Sequence, residues 1–104
     1  MTYRVIIEPS AERGLRAAVR WITEHRSPAA AANWSLGFGK KVGTLASQPF
    51  RCPLAAENEK FPEEIRELLY GTKKNAHRII FTVREETVHV LYVHHTAQDE
   101  LEPI

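Results

Sequence analysis

A single cysteine, Cys52, stands in the 104-residue chain, so no internal disulfide framework can form and no neighbouring thiol completes a zinc-binding pair. A reducing cytoplasm is the compartment that fits such cysteine usage. Cys52 has no activating His or Lys beside it and reads as a bystander thiol, not a nucleophile. No apolar run comes near the ~20 residues that cross a bilayer. The N-terminus passes from an apolar stretch straight into charge with no signal-peptide cleavage site, as a mature protein would. Gly-rich phosphate loops, HExxH, CxxC and GxSxG patterns are all missing. Nucleotide-binding, metalloprotease and serine-hydrolase chemistry are thereby left without support, and neither a metal nor a cofactor is called for.

What is present is ordinary globular material: 43% apolar and 26% charged residues, which argues against disorder and low complexity and for one folded domain across residues 1–104. At this size the core is modest, and a partner covering more apolar surface would add stability. The net charge of +1 conceals a division, since residues 1–52 carry +5 and residues 53–104 carry −4. Separate basic and acidic surfaces of this kind steer a charged partner.

Tyr3–Glu8 is β-branched and aromatic and stops at Pro9, which predicts a first strand. A helix follows, with Ser10 as its expected N-cap and with Ala11, Leu15, Ala18, Val19 and Ile22 on one face of a 3.6-residue period. It ends at His25-Arg26-Ser27-Pro28, and Pro28 suits the first turn of a second helix. There Ala31, Trp34, Phe38, Val42 and Leu45 form the apolar stripe, while Gly37, Gly39 and Gly43 are expected to permit close packing. Leu15, Ile22, Trp34, Phe38, Ile80, Val90 and Val93 are assigned to the core, and Trp21 is read as core in preference to ligand binding. Gln48–Pro62, with Pro49, Pro53 and Pro62, reads as an irregular crossing loop. Three strands then close the chain at Ile65–Tyr70, His77–Val83 and Thr87–His95. The order β-α-α-β-β-β makes the fold class α+β, an antiparallel meander with a helical hairpin on one face.

The Tyr-Arg-Val-Ile strand, the two helices, Ile65-Arg66-Glu67-Leu68-Leu69, His77-Arg78-Ile79-Ile80-Phe81 and the last strand Val88–His95 together resemble the RelE/ParE toxin superfamily of bacterial type II toxin-antitoxin systems. The resemblance spans almost the whole chain. It implies a growth-inhibiting, plasmid-stabilising toxin bound by a cognate antitoxin in a hetero-oligomer, with no membrane involved. It also implies one of two activities, cleavage of mRNA on the ribosome or poisoning of DNA gyrase. The Arg66-Glu67-Leu68-Leu69 strand is similar to the ParE branch. The lysines of the RelE branch are missing there, and the acidic segment Thr96–Glu102 lacks that branch's Arg and Tyr. Gyrase poisoning therefore ranks ahead of RNA cleavage, with an inactive binding module third. Were the chain a nuclease of the YoeB kind, its catalytic candidates would be Glu57 or Glu59, Arg78, and His94 or His95.

Target-binding candidates are Arg66, Arg78, Lys73 and Lys74. A guanidinium engages a phosphate or a carboxylate bidentately, so Arg66 and Arg78 on neighbouring strands suit either a nucleic acid or an acidic antitoxin segment. The plainer alternative for both is a salt bridge to Glu64 or Glu67. Lys73-Lys74 is first a solvated turn, though lysines beside an arginine-bearing strand add to nucleic-acid contact. His94-His95 must place one imidazole on each sheet face, which rules the two out as a metal pair.

Overall fold

A computed structural model describes residues 2–72 and 75–96. Strand β1 (Arg4–Ile7) leads into α1 (Pro9–His25) and α2 (Pro28–Gly43), and then into β2 (Arg66–Tyr70), β3 (His77–Arg84) and β4 (Thr87–His95). The sheet order is β1-β4-β3-β2. The three later strands form the expected antiparallel meander. β1 extends it in parallel beside β4, from Arg4 opposite Thr87 to Ile7 opposite Val90. The helical connection makes this parallel return feasible, because a chain leaving β1 needs a crossover to come back in the same direction.

The helix starts are set by prolines. α1 begins one residue before the expected cap: Glu8 is the extended N-cap residue, Pro9 supplies the first turn, and no side chain caps the end. Ser10 instead donates its hydroxyl to the Leu91 carbonyl at 2.5 Å. Leu91 is the extra residue at a register shift, since Ile80 pairs with Tyr92 and Phe81 with Val90. A bulge leaves the ladder locally open, and the serine fills that gap, tying α1 to β4. At α2, Ser27 is the cap, accepting from the Ala30 N–H at 3.0 Å, and Pro28 occupies the first turn as expected.

The hairpin packs on one sheet face, where Ala11, Phe38, Val42 and Leu45 meet Ile79, Phe81 and Val88. Leu15 and Trp34 are half-buried at its edge. Trp21 departs from expectation: it is 55% exposed, because it falls between the stripe positions of α1. Glycine use also differs. A Cβ on Gly37 would lie 2.2 Å from the Tyr70 hydroxyl, so that glycine does permit close approach, but nothing lies within 4 Å of one on Gly39 or Gly43. At Gly14 the close approach is to backbone: a Cβ there would come within 2.3 Å of the Val93 carbonyl oxygen.

The crossing loop covers the other sheet face. It contains short 3-10 turns at Pro49–Arg51 and Asn58–Lys60, and it pairs briefly with β2: the Ala55 N–H reaches the Ile65 carbonyl at 2.9 Å, and the Glu67 N–H the Pro53 carbonyl at 3.0 Å. Ala55, Ile65 and Ile80 form a second buried cluster there, flanked by Phe61, Leu91 and Tyr92. No helix among the described residues is long and apolar enough to cross a membrane.

Candidate functional site

Strand alternation assigns each candidate side chain to a face. Arg66 lies opposite Phe81 in the ladder and Arg78 opposite Leu69, so the two arginines are three rungs apart and point to opposite sides of the sheet. They do not converge on one ligand. Arg66, toward the helices, donates to the Cys52 carbonyl at 2.6 Å, pairs with Glu64 at 2.9 Å, and lies 5.3 Å from the centre of the Phe50 ring. Its guanidinium ties the start of the loop to β2.

On the opposite face Glu57 grips Arg78 with both oxygens, at 2.8 Å and 2.5 Å, while Glu67 accepts from Arg78 Nε at 2.6 Å. The Glu57 side chain is fully buried and that of Arg78 is 12% exposed. The hydrogen bonds from Glu57 hold the guanidinium pKa above its ordinary value in spite of desolvation, with Glu67 adding to the effect. Of the two glutamates considered from the sequence, only Glu57 meets Arg78. Glu59 sits exposed on the Asn58–Lys60 turn. His94 stands directly across from Arg78 and His95 across from His77, one on each face as expected. Lys73 and Lys74 lie outside the described residues.

A second site was not legible from the sequence. Where α1, the start of α2 and the ends of β2–β4 meet, a cavity of about 750 Å³ opens, lined by Trp21, Arg26, Trp34, Tyr70, His77 and His95 among others. Tyr70 donates its hydroxyl to the Trp34 carbonyl at 2.8 Å, and burial pushes its pKa up. The rings of Trp34 and His95 lie 5.1 Å and 4.9 Å from that of His77. His77 Nδ1 is buried with no hydrogen-bond partner among the described residues. Burial, seconded by His95, pushes His77 down to about 4, so its ring is neutral at pH 7. The only signal in the sequence was the position of Trp21 off the apolar stripe.

A family model described as the ParE toxin of type II toxin-antitoxin systems, parDE, matches residues 5–100. No curated protein matches the sequence significantly. Among solved structures, the chain is similar to one titled "Chromosomal ParDE TA system from P. aeruginosa", with a TM-score of 0.71 and 15% identity, over 90% of this chain and 96% of that one. At that identity the likeness is one of fold.

Proposed function

Because the chain belongs to the ParE toxin family of type II toxin-antitoxin systems, we propose that it is a toxin that inhibits growth by poisoning DNA gyrase and is neutralised by a cognate antitoxin. The state of Arg78 carries the choice of target. Cleaving RNA on the ribosome requires a base for the 2′-hydroxyl, free cations for the crowded phosphate and an acid for the leaving oxygen. Here the guanidinium is taken by two carboxylates, one of them fully buried. Drawing it away to a phosphate would take from the fully buried Glu57 the guanidinium that holds both of its oxygens, a costly rearrangement. Poisoning gyrase asks no hydrolytic chemistry of the toxin. Arg66 and Arg78 then act by fixing the crossing loop and the sheet edge that meet the target, with Lys73 and Lys74 adding charge.

The antitoxin contributes an extended or helical tail that covers the groove between the hairpin and the sheet, a mode in which backbone pairing or apolar anchors supply affinity. One arrangement favours the endoribonuclease reading instead: Glu57, Arg78 and His94 share a sheet face, with His94 directly across from Arg78. Induction from a tightly repressed promoter tests the proposal. Growth should stop, and co-expression of the small open reading frame beside the gene should restore it and yield a complex on pull-down. A soluble protein that arrests no host and binds no neighbouring gene product would refute it.

A further inference from the structure

β1 is an outer strand of the sheet, and the way it is paired turns part of its backbone outward. The Arg4 N–H donates to the Glu86 carbonyl and the Glu8 N–H to the Val90 carbonyl, both at 2.9 Å. With Arg4 opposite Thr87 and Ile6 opposite His89, Arg4, Ile6 and Glu8 direct their backbone groups at β4, and Val5 and Ile7 direct theirs away from it. Among the described residues, no backbone group outside the sheet bonds Val5 or Ile7. The outer strand on the other side is treated differently, since the crossing loop bridges β2 at Leu54 and Arg66 and bonds the Glu67 N–H. A bare row of N–H and C=O groups is a template for another strand. Side chains alternate along β1. Val5 packs against the core under the helices, and Ile7, on the same face, is 38% exposed. Arg4, Ile6 and Glu8 share the opposite face. Arg4 is exposed there, and Glu8, still extended at the N-cap, meets His89 Nδ1 through one oxygen at 2.7 Å.

We propose that β1 pairs antiparallel with β1 of a second copy of this chain, about a two-fold axis through Ile6, and so joins two sheets into one. Every rung is then matched. Val5 exchanges both backbone hydrogen bonds with the partner's Ile7, as a hydrogen-bonded pair of an antiparallel ladder does, and Ile6 faces the partner's Ile6. Arg4 stands across from the partner's Glu8, whose carboxylate has lone pairs beyond the one on His89, and opposite charges on facing strands stabilise the pair. An axis at Val5 or Ile7 would keep the outward groups in register but set Arg4 or Glu8 across from Ile6, so charge selects the arrangement centred on Ile6. The segment is its own complement, which favours a second copy over an unrelated strand. The contact closes on itself as a symmetric dimer, and Pro9, with no N–H, ends the ladder. One short strand from each copy buries far less than a standard interface, so the dimer is weak, with a Kd on the order of 100 µM. The pairing depends on neither the target nor the antitoxin.

Sedimentation and backbone hydrogen exchange of the ¹⁵N-labelled full chain test it. Sedimentation equilibrium should show a reversible monomer–dimer equilibrium. Raising the concentration from ~50 µM to ~1 mM should slow exchange of the Val5 and Ile7 amide protons about threefold, while those of Ile6 and Glu8, bonded to β4 in either state, should not change. Arg4→Glu, at an exposed position, should weaken the dimer roughly tenfold by facing the partner's Glu8 with a like charge. Glu8→Lys should do the same by facing the partner's Arg4. An equimolar mixture of the two variants should restore dimers, because each new charge then meets its opposite across the strands, an outcome that misfolding could not produce. Should Glu8→Lys fail to fold, the exchange rates and Arg4→Glu decide alone. A chain that stays monomeric at ~1 mM, a dimer whose Val5 and Ile7 amides remain unprotected, a Kd indifferent to Arg4→Glu, or protection that appears only with the neighbouring gene product would overturn the inference.

Discussion

The fully buried carboxylate of Glu57 and the guanidinium of Arg78, twenty-one residues apart in the chain, meet through two parallel hydrogen bonds of 2.5 Å and 2.8 Å. This pair fastens the crossing loop to the sheet face away from the helices. Breaking a buried ion pair from one side strands the other charge, at a cost of about 3–5 kcal/mol. Because Glu67 still holds Arg78 Nε, Glu57→Gln should lower the denaturant-unfolding free energy by less than that, about 1–3 kcal/mol. The double variant Glu57→Gln/Arg78→Met should lose clearly less than the sum of the two single changes. A loss below about 0.5 kcal/mol for Glu57→Gln would mean that the loop does not depend on this pair.

His77 makes stability depend on pH. Its pKa in the folded chain is about 4 against an ordinary 6.5, so between these values the unfolded chain binds the proton more readily. Stability contributed by the neutral ring is fully present above pH 6.5 and is lost as pH falls toward 4. Partial solvent exposure of the ring brings the loss to about 1–2 kcal/mol. Urea unfolding at pH 7 and pH 4.5 should show this fall relative to a His77→Phe variant. A variant with the same pH slope as the unaltered chain would contradict the assignment.

Two glycines should respond in opposite directions to alanine. Gly39 sits in α2 with open space around its missing Cβ, so Gly39→Ala should stabilise by about 0.5–1 kcal/mol through helix propensity alone. At Gly14 the added carbon would meet the Val93 carbonyl oxygen at 2.3 Å, a backbone atom unable to yield without moving β4. Gly14→Ala should destabilise by about 1–3 kcal/mol. Thermal unfolding of the two variants side by side checks both signs.

The local periods that the sequence displays account for what it made legible. The stripe through Ala11, Ala18 and Ile22 announced α1, and the apolar alternation of Val88 and Val90 announced β4 up to the bulge at Leu91. The loop's role could not be read in the same way. Ala55 and Glu57 have no period, and a lone Glu among prolines resembles a solvated residue until Arg78 arrives from a distant strand. Burial of a charge is legible only together with its partner. Arg66 and Arg78 stand out in the sequence as strand arginines, but their separation onto opposite faces depends on pairing register, which a single sequence does not display. Trp21 was misassigned to the core because hydrophobicity alone does not distinguish an aromatic on the stripe from one beside it.

Purified toxin incubated with DNA gyrase and negatively supercoiled plasmid, in parallel with ribosomes programmed with a defined mRNA, tests the choice of target most directly. Trapped gyrase should release linear plasmid after detergent and protease treatment, while the mRNA stays intact. Codon-dependent cuts in the mRNA that vanish in His94→Ala, with gyrase unaffected, would contradict the proposed target and establish the endoribonuclease in its place.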